Sequence, residues 1–148
     1  MTLYGLVRLS HLLAMAVWLS AGLLAPRDVC ESLERGAASC VPLMGRLRRT
    51  ARVMNLAAWG TVASGLGLVL LGRGWATPAS IWWGLALTLL AILVGRVAIR
   101  PAVQAIVAVQ PVLDGLSAPE RRRIARRFTL GVRAEDLLRL AVLVLMAR

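Results

Sequence analysis

Val53–Gly72 reads "VMNLAAWGTVASGLGLVLLG", twenty residues without a charge, closed by Arg52 on one side and Arg73 on the other. At a rise of about 1.5 Å per residue, a helix of that length crosses about 30 Å, the thickness of a bilayer's hydrocarbon layer. The same pattern recurs to either side. Gly74–Gly95 carries no charge, and Leu9–Pro26 holds only one ionisable group, His11. A fourth stretch, Phe128 to Ala147, is strongly apolar only beyond Arg139. With 59% hydrophobic residues and a mean hydropathy of +0.74 over 148 residues, the chain is too apolar for an ordinary water-soluble core. The expected fold is all-α, an integral membrane four-helix transmembrane bundle forming a single domain over 1–148. Its spans fall at about 5–25, 53–72, 75–96 and 128–147, with cytoplasmic connections at 27–52 and 97–127.

The net charge of +11 comes from 18 arginines, since the chain has no lysine. Arginines concentrate in the two long connections, as the positive-inside rule requires of cytoplasmic segments. That distribution argues against nucleic-acid binding and for a bilayer partner, including anionic lipid, in a bacterial inner membrane. It orients the chain N-out and C-out, with the short Arg73–Ser80 turn outside. A secretory signal is the rival reading of residues 1–25, with Arg8 ahead of an apolar run and small residues at Ala21 and Ala25; the membrane character of the remaining chain favours a retained span. Cys30 and Cys40 lack CxxC spacing, so in the cytoplasm they are ordinary free thiols. An impermeant thiol reagent reaching them in intact cells would reverse the orientation.

Small residues recur at helical spacing in two spans: Gly60, Ser64 and Gly67, then Gly84, Thr88, Ala91 and Gly95. Such faces allow close backbone approach, so these two helices are expected to be neighbours. Tyr4, Trp75, Trp82 and Trp83 suit the headgroup level as interface anchors. Ser117-Ala118-Pro119-Glu120 is a helix start, with Ser117 as N-cap and Glu120 at the capping-box position. The helix then carries "RRRIARR", Arg121–Arg127, whose arginines draw it to anionic lipid. Further on, Glu135 stands four residues before Arg139 and Asp136 three residues from both Arg133 and Arg139, so these charges can neutralise one another. Pro101 and Pro111 bracket "AVQAIVAVQ", which either prolongs the third span after a kink or lies along the interface.

At 100° per residue, Arg8, His11, Met15, Trp18 and Gly22 share a stripe about 80° wide. An ionisable group within a span faces the bundle or water, so His11 points inward. One reading makes it a packing residue that hydrogen-bonds a neighbouring helix. Another makes it a ligand, since neutral imidazole holds haem iron and an arginine one turn away pairs a propionate. Met15 shares the helix and cannot be the opposite axial ligand. With one histidine per chain, haem would be five-coordinate, take a non-histidine sixth ligand, or require a second protomer. Copper handling through His11, Met15 and Met54 ranks lowest, because a copper path calls for more soft ligands at helical spacing.

The run "HLLAMAVWLSAGLLAPRDV", His11–Val29, resembles the first helix of the HemJ and copper-resistance D (CopD) group of small membrane proteins: histidine, apolar turn, Trp, Gly, then Pro-Arg. The likeness continues through "RLRRTARVMNLAAWGTVASGLGLVLL", Arg46–Leu71, through Trp82 or Trp83 as the third-helix tryptophan, and through Glu135 ahead of the last apolar run. The resemblance implies a haem b-binding membrane protein, with cofactor-binding residues His11, Arg8 and Met15 and His11 on the haem iron. HemJ members act as protoporphyrinogen oxidases. They carry a lysine shortly after the third-helix Trp, where this chain has Ala86 or Leu87. A guanidinium stays protonated and cannot replace that lysine as a base, which argues against oxidase activity. The alternative is a non-catalytic accessory or scaffold subunit of a larger membrane complex, and a homo-oligomer is compatible with either reading. One histidine and seven acidic residues supply no Ser/His/Asp set, phosphate loop or zinc motif.

Overall fold

In a computed structural model, which describes residues 2–20, 22–72 and 78–146, the chain is helical nearly throughout. The elements are α1 (Leu3–Ser20), α2 (Ala25–Arg35), α3 (Ala37–Leu71), α4 (Ala79–Val94), a π turn (Gly95–Ile99), α5 (Arg100–Val109), a 3-10 turn (Gln110–Gly115) and α6 (Ala118–Met146). Three helical stretches are long and apolar enough to cross a membrane: Leu3–Arg35, Ala37–Leu71 and Ala79–Gly115. The expected fourth span is part of α6, which is continuous but carries Arg133, Glu135, Asp136 and Arg139 along its middle. The greater part of the Arg73–Ser80 turn, Trp75 included, lies outside the described residues.

The two connections are helical rods rather than loops. α3 begins sixteen residues ahead of the uncharged run at Val53. α2 and α3 meet at Gly36, whose φ of 98° and ψ of −176° are open to glycine alone. A Cβ there would stand 2.7 Å from Asp114 Oδ1, and that same oxygen accepts the Ala37 N–H at 2.9 Å. Asp114 thus caps α3 across the fold. Pro101 has no N–H to return to Val97, and the preceding turn widens to take up the register: the Arg100 N–H donates to Gly95 O, five residues back. The helical stretch that starts at Ala79 therefore continues beyond Pro101.

Two apolar cores stack along the bundle. One, among the connecting helices, holds Val29, Leu33, Leu43, Ile106, Leu113 and Phe128. The other, among the spans, holds Trp18, Ala57, Ala58 and Ala91. The small-residue faces meet different partners from those expected. α1 packs mainly along α3 and α4 along α6, while α3 and α4 touch over a short length. A Cβ on Gly60 would meet Ala14, and one on Gly67 would meet Val7, both on α1; one on Gly95 would meet Glu135 of α6. These glycines accommodate the close approach of α1 and α6.

α6 starts after Ser117 as expected. The Ser117 N–H and hydroxyl both donate to Glu120 Oε2, at 2.9 and 2.6 Å, which holds the Glu120 carboxyl below the usual range. α2 is tied to α3 by Arg46, which donates to both oxygens of Asp28 at 2.8 Å.

Candidate functional site

The α1 stripe is buried where the periodicity places it, except at its start. His11, Met15, Trp18 and Gly22 are buried, and Arg8 is exposed. His11 Nδ1 lies 3.1 Å from Thr61 O and 3.0 Å from Ser64 Oγ, both on α3. A carbonyl only accepts, so Nδ1 carries the proton and Nε2 keeps the lone pair. The Ser64 hydroxyl donates to Gly60 O, and those of Thr61 and Thr88 donate to Ala57 O and Gly84 O, so the span hydroxyls are satisfied by their own helices. Gly65 makes room for the ring, since a Cβ there would sit 3.2 Å from His11 Cε1.

The tautomer suits a metal ligand, but the space does not suit haem. The gap lined by His11, Thr61, Gly65, Trp82, Leu85 and Thr88 measures about 30 Å³, room for about one water molecule. A ligand of macrocycle size needs a pocket of about 300 Å³ or more. Haem b therefore does not fit beside His11 in this arrangement of helices. Arg8, exposed on α1, is not brought into the gap. Among the described residues, no three His, Cys, Asp or Glu side chains gather as a metal site.

The larger spaces lie elsewhere. Between α3 and the helix running from Ile92 to Ala108, two lobes of about 640 and 480 Å³ share a wall of Ala51, Met54, Ile99 and Val103. Their linings are mainly apolar, floored by Phe128 and Val132 in one and Trp18 in the other. Four exposed arginines stand on the lining: Arg48 and Arg52 from α3, Arg96 from the π turn and Arg100 from α5. Among the described residues, none of the four has a carboxylate within ion-pairing distance. The i,i+4 spacing of each pair sets both arginines on one helix face. That spacing was present in the sequence, but resembles any basic flank of a span.

Beneath the cleft sits an ion cluster. Arg139 of α6, 1% exposed, pairs with Glu135, and its Nη1 reaches Asp136 Oδ1 at 3.0 Å. Its guanidinium lies 5.1 Å from the centroid of the Trp18 ring, the distance of a cation–π contact. Its Nε is buried without an acceptor. The mutual neutralisation read from the spacing is present, but Arg133 stays outside it, exposed. Gly22 leaves room for the cluster, since a Cβ there would stand 3.0 Å from Arg139 Nη1. Trp83 is 65% and Tyr4 45% exposed, whereas Trp82 is half-buried on the lining of the His11 gap. Cys30 is half-buried, whereas Cys40 is buried against the Ser32 carbonyl and burial pushes its thiol up, so thiol labelling reads Cys30.

No protein-family profile, no curated protein and no solved structure matches the chain.

Proposed function

We propose that this chain is a four-span membrane protein, N-out and C-out, that binds an amphipathic anion in the cleft between α3 and the α4–α5 rod. In this reading α6 is the fourth span, because its central charges are paired inside the bundle instead of facing lipid. The observation that carries the proposal is the cleft itself: apolar walls large enough for a ligand, lined by four arginines outside any ion pair and by one carboxylate, Glu135, which is taken up by Arg139. An apolar ligand body would displace water from Met54, Val103 and Val107. Its acidic groups would meet Arg48, Arg52, Arg96 and Arg100, which as guanidinium forks pair carboxylates or phosphates with two hydrogen bonds each.

Haem b, the cofactor implied by the resemblance, belongs to this class through its apolar ring and two propionates. The cleft offers the propionates partners, but its lining holds thioethers and no imidazole for the iron. His11 serves the packing of α1 on α3. The deciding experiment titrates detergent-purified protein with haem b and with iron-free protoporphyrin, read by absorption and fluorescence. Both are expected to bind. Arg48→Gln with Arg52→Gln, or Arg96→Gln with Arg100→Gln, should weaken both ligands about tenfold or more, at about 1.5–3 kcal/mol for hydrogen bonds to charged groups. His11→Ala should leave both affinities within threefold. Failure of both ligands to bind, or a Soret band that depends on His11 and not on the arginines, would overturn the proposal.

A further inference from the structure

The block "RRRIARR" does not present one uniform charged surface. Ile124 and Ala125 turn into the core between the connecting helices, while Arg121, Arg122 and Arg126 line a separate cleft of about 570 Å³ between α6 and α2. Arg133, nearly two turns further on, lines it as well. Arg123 and Arg127 do not. The opposite wall supplies Cys30, Leu33 and Glu34, so one acidic group faces four arginines. None of the four has an ion-pair partner among the described residues. A basic groove with so little acidic compensation, along the N-terminal half of α6, complements a lipid headgroup.

We propose that this groove is a specific site for an anionic phospholipid bearing two phosphates. Spacing argues for two. Arg122 and Arg126 lie one turn apart, about 6 Å along the helix, close enough to share one phosphate. Arg133 stands about 10 Å beyond Arg126, out of reach of that same group. A head carrying two phosphates spans both positions, whereas a single phosphate held by Arg122 and Arg126 leaves Arg133 out of reach. Leu130, exposed on the same lining, offers apolar contact to the first methylenes of the acyl chains. These residues are distinct from those of the α3–α5 cleft, so the two sites stand or fall separately.

Full-length protein in maltoside micelles, doped in turn with tetraoleoyl cardiolipin, dioleoyl phosphatidylglycerol or dioleoyl phosphatidylcholine, tests this by native mass spectrometry of the bound lipid. Cardiolipin should be retained about tenfold more tightly than phosphatidylglycerol, and phosphatidylcholine not at all. Arg122→Gln with Arg126→Gln should weaken cardiolipin about thirtyfold, at roughly a fivefold loss per arginine. Arg123→Gln with Arg127→Gln removes the same charge from the same helix outside the groove and should change retention less than threefold. Arg133→Gln should erase the preference for cardiolipin over phosphatidylglycerol. Equal losses from the two double variants would show only unspecific charge attraction, and displacement by millimolar inorganic phosphate would show a free-anion site; either result overturns the proposal. Elution of every variant as the same monodisperse peak separates these outcomes from misfolding.

Discussion

Replacing Arg139 by methionine should be among the most damaging single changes to the bundle. The guanidinium is fully enclosed, pairs with Glu135 and Asp136, and lies over the face of Trp18. Methionine keeps much of the side chain's length and apolar stem, so the loss is mainly electrostatic. Asp136 is 26% exposed at its side chain and can be hydrated, but Glu135 is 7% exposed there and would be left without its counter-charge. Removing one partner of a buried pair costs about 3–5 kcal/mol. For a chain of this size each kcal/mol moves the melting temperature by about 2–4 °C, giving a fall of roughly 6–20 °C. The assay is the surviving monodisperse fraction after heating in detergent, measured by size exclusion. The double variant Arg139→Met with Glu135→Met should recover more than half of that loss, because an apolar pair of similar volume replaces a buried ion pair at little net cost. If Arg139→Met is no worse than Leu140→Ala, which trims an outward-facing side chain, or if the double variant falls further than the single, the ion cluster does not hold α6 in place.

Two further changes test the connecting helices. Gly36→Ala places a Cβ in a backbone region costing about 1–3 kcal/mol and 2.7 Å from the carboxylate that caps α3, so the melting temperature should fall by about 5 °C or more. Asp114→Asn, which keeps an acceptor oxygen for the Ala37 N–H, should be milder, and equal damage from both would refute the cap. Asp28 is held below the ordinary carboxylate range by the hydrogen bonds from Arg46, so its contribution is present above the unfolded value of about 3.9 and lost as pH falls through the depressed folded value. Stability should hold from neutral pH down to about pH 4.5 and decline below it. Asp28→Asn should cost about 1 kcal/mol at neutral pH for this partly exposed pair and remove part of the acid-side decline in thermal melts.

The three helical stretches apolar enough to cross a membrane were legible because charge is so costly in hydrocarbon that the gaps between arginines mark such stretches. The start of α6 and the Glu135–Arg139 pair were legible for a related reason, since capping and i,i+4 contacts depend on residues close in sequence. What escaped reading was long-range. Trp18 reads as one more apolar side chain until Arg139 is brought over it, and Asp114 as a solvated charge until Gly36 turns the chain towards it. The cleft arginines were present as charges but not as a site, because Arg48 and Arg52 resemble any basic flank until Arg96 and Arg100 stand across from them. His11, the residue that drew most notice in the sequence, is held by Thr61 and Ser64 beside a gap too small for a macrocycle.

The carboxylate that receives the Ala37 N–H is 77 residues further along the chain. At about 5–20 residues per second, a ribosome takes roughly 4–15 s to make that stretch. Through that interval the Ala37 N–H is without the carboxylate that caps it in the finished fold. Closure of the connecting helices onto one another therefore waits until α4 and α5 have been made, and the N-terminus of α3 is capped late.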